Sequence, residues 1–222
     1  MKPYATIAGI DAQPLRIRVP SFGPWYASAE LLENTDMSGR VEVRIGSMTL
    51  FGTVQQHGVW SMRSSVRIVA GAGGWAKTVE PKHYHSDAGV KTRMVVQDIA
   101  RQIGETLGTV QPARERVGIA FTRCRGPASR ALHHAIDPTP WWVDYAGVTH
   151  ISPRETTELV GSYDVLHADS QAREVVLSSD ELGIFQIGSI LRRCLAHPLV
   201  VQSLQHTVIG SEVRTRAWGI PL

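Results

Sequence analysis

From Arg16 to Ala70 the chain repeats one pattern: a short run of alternating apolar and polar residues, then a cluster of turn formers. Arg16-Ile17-Arg18-Val19 alternates and is stopped by Pro20 and the turn cluster Ser21-Phe22-Gly23-Pro24. Trp25, Ala27, Ala29 and Leu31 share one face and Tyr26, Ser28 and Glu30 the other, until residues 34–39 interrupt. Val41, Val43 and Ile45 follow, then a reversal at Gly46-Ser47 into Met48, Leu50 and Gly52-Thr53-Val54. A further turn is expected at His57-Gly58, leading into Val59-Trp60. Val66, Ile68 and Ala70 alternate with Arg67 and Val69. A period of two sends successive side chains to opposite faces of a strand. Strands at about ten-residue spacing, with turn signals between them, build a barrel or sandwich. The expected fold class is therefore α+β, mainly β: β-barrel or sandwich domains of short antiparallel strands with one amphipathic helix each.

Gly71-Ala72-Gly73-Gly74 makes a glycine-rich corner after this array, and Trp75 follows as a large apolar plug. Val95, Ile99, Ile103 and Leu107 recur at four-residue steps, with Met94 and Ala100 beside them, which predicts an amphipathic helix over about 92–107. Thr92 suits its N-cap and Gly108 the position past its end. Residues 109–115 are polar and contain a proline, which places a domain boundary there. The N-terminal β domain is expected over 1–110 and a C-terminal β-rich domain over 111–222. The second half repeats the theme: a strand at 117–122, a short helix over about 127–136 opened by Pro127, a hairpin around Tyr145-Ala146-Gly147, and strand-like segments at 174–177, 188–191, 199–209 and 213–218.

Composition narrows the function classes. Hydrophobic residues make up 43% of the 222, enough for a real core, while charged residues are only 19%, below the usual level of about 25%. Interface cores are depleted in charge, so this balance points toward assembly. The net charge of +3 comes from basic residues spread along the chain without a Lys/Arg run, so specific nucleic-acid binding is not expected. The two cysteines, Cys124 and Cys194, are far apart and form neither a disulfide framework nor a zinc motif. The N-terminal residues lack the apolar core of a signal peptide, and no run of about 18 apolar residues is present to span a membrane.

Candidate chemistry is sparse. His83 and His85 in Lys82-His83-Tyr84-His85 point the same way if extended, so a third ligand from Asp87, His57, His133 or His134 would complete a metal site. The glycine corner lacks the Gly-Lys-Ser/Thr ending of a phosphate loop, and no helix starts directly behind it. Arg123 and Arg125 flank Cys124, but no Gly-x-Ser-x-Gly or paired carboxylates accompany it. Trp141 and Trp142 offer at most one stacking surface, since neighbours on a strand face opposite ways. No catalytic residue, metal or cofactor is expected.

Several segments together resemble the tail-tip or baseplate hub proteins of long-tailed bacteriophages. They are Arg-Ile-x-Val-Pro at 16–20, the glycine-punctuated strands at 41–54, Val-x-Ile-Val-Ala-Gly-Ala-Gly-Gly-Trp at 66–75, Tyr84, Asp-Ala-Gly-Val at 87–90, Trp-Trp-Val-Asp at 141–144, and the closing element at 207–218. The resemblance implies a non-enzymatic virion protein of the tail tip or baseplate, synthesised in the host cytoplasm. It implies a homo-oligomeric ring, three-fold with six-fold as the alternative, that joins the tail tube protein to distal spike or fibre proteins. Residues expected at the subunit interface are Gly73, Gly74, Trp75, His83, Tyr84 and His85. Trp25, Trp60, Trp142 and Trp218 join Trp75 as aromatic candidates for such contacts. The alternatives are a carbohydrate-binding adhesion module of the tail tip using Trp141 or Trp142, and a metal-dependent hydrolase using His83 and His85.

Overall fold

In the computed structural model, which describes residues 4–60, 62–192, 194–195 and 197–222, the alternating segments become long antiparallel strands. They are β1 (Ala5–Ile7), β2 (Ile10–Val19), β3 (Tyr26–Leu31), β4 (Arg40–Ile45), β5 (Met48–Trp60) and β6 (Arg63–Ala70). Hydrogen bonding runs β1-β4-β5-β6-β3-β2 and returns from β2 to β1, which closes a six-stranded barrel. Closure follows from the alternation, because a sheet with one apolar face can bury it by curling on itself. Ile7, Leu15, Ile17, Leu31, Val43, Leu50 and Ile68 are all fully buried. Trp25 is also fully buried, and its indole N–H donates to the Asp144 carbonyl at 3.0 Å. Its ring leaves no room opposite for a side chain: a Cβ on Gly52 would lie 3.0 Å from it and 2.6 Å from the Val69 carbonyl oxygen. The turn expected at His57-Gly58 is not made. β5 absorbs a register shift between Val54 and Gln56 and continues, with His57 paired to Val66. A bulge bends a strand without ending it, and Gly58 beyond it pairs in regular register with Ser65 rather than making a reversal.

A middle layer follows: β7 (Thr78–Val79), β8 (Lys82–Lys91), α1 (Thr92–Ile103), β9 (Leu107–Val110), β10 (Arg116–Arg123), β11 (Gly126–Pro127), α2 (Ala128–Ile136), β12 (Trp141–Val143) and β13 (Thr149–Ile151). β8 pairs with β10, β7 with β11, and β13 with both β12 and β9. α1 buries Val95, Val96, Ile99, Ala100 and Ile103, whereas Met94 is 47% exposed. It ends four residues earlier than its apolar spacing suggests. Gly104 takes φ 80° and its N–H donates to the Ala100 carbonyl, while Leu107 pairs with Thr149 in a parallel ladder. Glycine tolerates the left-handed conformation that ends a helix, so Gly104 does what was expected of Gly108. Thr92 is the first helical residue rather than the cap, and its hydroxyl donates to the Arg114 carbonyl at 2.7 Å. The two helices lie against each other.

The chain then returns to the barrel through β14 (Thr157–Glu158), β15 (Asp164–Asp169), β16 (Glu174–Ser178), β17 (Ser189–Leu191), β18 (Leu199–Ile209) and β19 (Glu212–Pro221). β18 pairs with β2 over Leu204–Val208, so the barrel sheet continues outward through β18, β19, β16 and β15. β2 is thus shared: it serves the barrel through β1 and β3 and the outer sheet through β18.

Candidate functional site

The glycine corner is filled by the chain itself. Gly71 and Gly73 adopt φ 70°, which turns the backbone around the Glu105 side chain just beyond α1. The Glu105 carboxylate accepts the Ala72 N–H at 3.2 Å and the Gly74 N–H at 2.6 Å. Burial pushes this carboxyl above its ordinary range, although the bonds from Gly74 and Ala72 pull the other way. The amides that might have cradled a phosphate therefore hold an internal carboxylate. Gly74 is pressed onto α1, where a Cβ would come within 2.5 Å of the Ile103 carbonyl oxygen. Trp75 is 2% exposed, donates to the Thr149 hydroxyl at 2.9 Å and packs against Trp141 with ring centroids 5.1 Å apart.

Lys82-His83-Tyr84-His85 lies on β8 and alternates, as a strand must. Tyr84 points inward and donates to Asp98 at 2.6 Å, where Lys82 and Arg123 also converge at 2.7 and 3.2 Å. Burial, together with that bond to a carboxylate, pushes the Tyr84 hydroxyl up to about 12. Burial alone would raise Asp98, yet hydrogen bonds from Lys82 and Tyr84 and the charges of Lys82 and Arg123 hold it below the usual carboxylate range. Arg123, only 3% exposed, also donates to the Glu80 carbonyl and Gln102, so this cluster fastens the β8–β10 ribbon to α1. His83 and His85 face outward: His83 meets the Thr122 hydroxyl at 2.9 Å and His85 lies 3.9 Å from Asp87. Across the ladder from His85 and beyond it, Gly118, Ile119 and Ala120 are exposed, Ile119 by 62%.

The six residues expected at an interface thus divide. Gly74, Trp75 and Tyr84 are buried, Gly73 is half-buried, and His83 and His85 are exposed. The structure brings the corner and the histidine strand to the same helix, α1, from two sides. Of the third ligands considered for a metal, Asp87 stands beside His85, whereas His57 lies 3.6 Å from Asp36 and the His134 ring packs on Phe121 at 5.0 Å. No group of three or more His, Cys, Asp or Glu side chains converges as a metal site among the described residues. Trp141 is spent on Trp75. Trp142 stacks on His150 at 4.4 Å and carries the Arg154 guanidinium over its ring at 4.2 Å, so both indoles are used within the chain. Trp25 is buried, Trp218 donates to Glu174 at 2.9 Å, and the Trp60 side chain lies outside the described residues.

Open sheet edges are the other surface feature. The outer sheet ends at β15, whose far edge pairs with no strand among the described residues. Val165 and Leu166 on it are 42% and 53% exposed. Unpaired N–H and C=O groups on such an edge are a template for another strand. Sequence reasoning missed β15, whose residues Asp164-Val165-Leu166-His167-Ala168-Asp169 carry no clean alternation.

No protein-family model and no curated protein sequence matches this chain. Solved structures do. The 43 kDa tail protein of prophage MuSo2 from Shewanella oneidensis superposes with a TM-score of 0.69 at 7% identity, covering 98% of this chain and 97% of that one. The E. coli c3393 protein, a type VI secretion component with structural similarity to the T4 tail proteins gp27 and gp5, gives 0.65 at 11% identity over 98% of this chain and 76% of its own. A tail protein from Neisseria meningitidis MC58 gives 0.62 at 12% identity over 96% and 95%. No helix of the described residues is long and apolar enough to cross a membrane. In fold, this chain is similar to phage and prophage tail proteins over nearly its whole length.

Proposed function

We propose that this chain is a structural, non-catalytic subunit of a phage-type tail, located at the tail tip or baseplate. It forms a homo-oligomeric hub ring, three-fold, that joins the tail tube to a distal spike or fibre protein. The observation that carries the reading is the full-length match in fold to tail proteins from two bacterial sources, with a closed barrel continuing into an open sheet. A ring subunit needs surfaces to offer its neighbours, and the open edge of β15 and the exposed face of the β8–β10 ribbon supply them. His83 and His85 are the contact residues on that ribbon. Tyr84 and the corner of Gly73, Gly74 and Trp75 act behind them by fixing the ribbon and barrel on α1.

The test is to mix the purified chain with polymerised tail tube protein from the same virus and image the tube ends by negative stain. The expected result is added density at one end of each tube. Bare tube ends, with the chain absent from pelleted tubes, would contradict the proposal.

A further inference from the structure

The arginines that sequence spacing scatters are gathered by the topology onto one sheet face. The register aligns Arg67 of β6 with Ser28 of β3, Ser28 with Arg16 of β2, Arg16 with Thr207 of β18, and Thr207 with Arg214 of β19. The next outward row reads Tyr26, Arg18, Gln205 and Arg216. All five arginines are exposed, because their strand neighbours Ile17, Val66, Ile68, Thr215 and Ala217 fill the opposite face. With neighbouring strands about 4.8 Å apart, Arg16 stands roughly 10 Å from Arg67 on one side and from Arg214 on the other, which leaves those two roughly 19 Å apart. Arg16 and Arg18, like Arg214 and Arg216, are about 6.7 Å apart along their strands.

Two shallow depressions of 530 and 760 Å³ adjoin on this face and share Arg16 as a wall. The first is bordered by Arg67 and Ser28, the second by Gln205, Thr207, Arg214 and Arg216. Together they form a trough that crosses the strands. The acidic groups nearby are already taken: Glu30 pairs with Arg63 at 3.3 Å, Glu212 with Arg214 at 2.9 Å and Glu174 with Arg216 at 3.7 Å. Arg67 lies over the Tyr26 ring at 5.6 Å. Arg16, Arg18 and Arg67 therefore present charge that no carboxylate neutralises among the described residues.

We infer that this trough binds the phosphate backbone of nucleic acid without reading its sequence. Its lining is mostly polar, with arginine, serine, threonine and glutamine side chains of the kind that contact phosphate oxygens, and the two carboxylates on it, Glu30 and Glu212, are the ones already paired with Arg63 and Arg214. Protein interfaces instead concentrate apolar and aromatic residues at their centre, and Ile209, 59% exposed, borders only the far end of the trough. Nothing in the arrangement aims at a base edge. The surface is the outer face of the barrel wall and of the sheet that continues from it, with no helix or ribbon that would enter a groove.

The test is fluorescence anisotropy of a labelled 24-base-pair duplex of random sequence, titrated with the isolated chain between 20 and 200 mM NaCl. Three phosphate contacts predict a log–log salt slope of about −2.7. The triple variant Arg16→Gln/Arg18→Gln/Arg67→Gln should bind at least about tenfold more weakly with a slope near zero. The triple Arg93→Gln/Arg101→Gln/Arg130→Gln, which removes equal charge from exposed helix positions, should keep the slope. If the first triple fails to fold, Arg18→Gln alone should reduce the slope by about 0.9. Absence of binding at 20 mM salt, or equal loss in both triples, would overturn the inference. So would competition by polyglutamate as strong as by unlabelled DNA, which would assign the trough to an acidic protein. DNA binding is read on the isolated chain, so it stands or falls separately from assembly on a tail.

Discussion

His206 makes the outer sheet sensitive to acid. The residue sits on β18 between Ile17 of β2 and Thr215 of β19, with no exposed surface. Its Nδ1 is 2.9 Å from the Thr215 hydroxyl, and its Nε2 has no hydrogen-bond partner among the described residues. Burial lowers its pKa to about 4, against about 6.5 for an unperturbed histidine. A second proton would leave a charge in an apolar site, whereas the unfolded chain takes that proton freely. The unfolded state therefore binds more protons between pH 6.5 and 4, and stability falls as pH drops through that window. From the two values, the loss relative to pH 7 is about 1 kcal/mol at pH 5.5 and about 2 kcal/mol at pH 4.5. The assay is urea unfolding at pH 7, 5.5 and 4.5 for the wild type and His206→Leu. Carboxylates such as Asp98 also lose stabilising charge in acid, so the informative quantity is the difference between the two proteins. The variant should escape about 2 kcal/mol of the loss at pH 4.5. Parallel losses in wild type and variant would refute the reasoning and show that His206 can charge without cost.

Three further substitutions, with Gly183→Ala as a control away from the site, probe the junction between barrel and helices. Trp75→Ala removes a buried indole and its bond to Thr149 and should cost about 3–5 kcal/mol in chemical unfolding; unchanged stability would show that the indole is not the plug. Gly74→Ala, whose Cβ would meet the Ile103 carbonyl oxygen at 2.5 Å, should cost about 1–3 kcal/mol. Gly183→Ala, with nothing within 4 Å, should lie within about 0.5 kcal/mol of wild type in the same melts. Glu105→Ala strips the acceptor from the Ala72 and Gly74 amides and should cost about 2 kcal/mol or more at pH 5. Since burial raises the Glu105 pKa in the folded state, its contribution is greatest in acid and declines as pH rises through that value, so the variant's deficit should shrink toward pH 8.

The barrel was legible because each strand carries its own evidence. Ile17, Ala27, Val43 and Ile68 alternate with polar neighbours, and burial in the structure follows that alternation. The stripe of α1 was legible for the same reason, since its period is local. Its end was not, because Leu107 satisfies a helical spacing and also a parallel pairing with Thr149 that only the tertiary fold supplies. β8 was not legible as a strand, because its Ser86-Asp87-Ala88-Gly89 segment has strand geometry imposed by β10 across two register shifts, not by its own propensity. The filling of the glycine corner could not be read either, as Glu105 approaches from 31 residues away. The arginine face is the clearest case. Positions 16, 18, 67, 214 and 216 are unremarkable in sequence, and they meet only because β3 joins β6 to β2 on one side and β18 joins β19 to β2 on the other.

The mass of the assembled protein in solution tests the central claim most directly. Multi-angle light scattering of the purified chain over a wide concentration range, alone and with tail tube protein, would give it. The hub-ring account predicts a discrete complex of three copies of the 24.4 kDa chain, formed alone or on the tube end. A monomer under every condition, with no complex in the presence of tube protein, would contradict it.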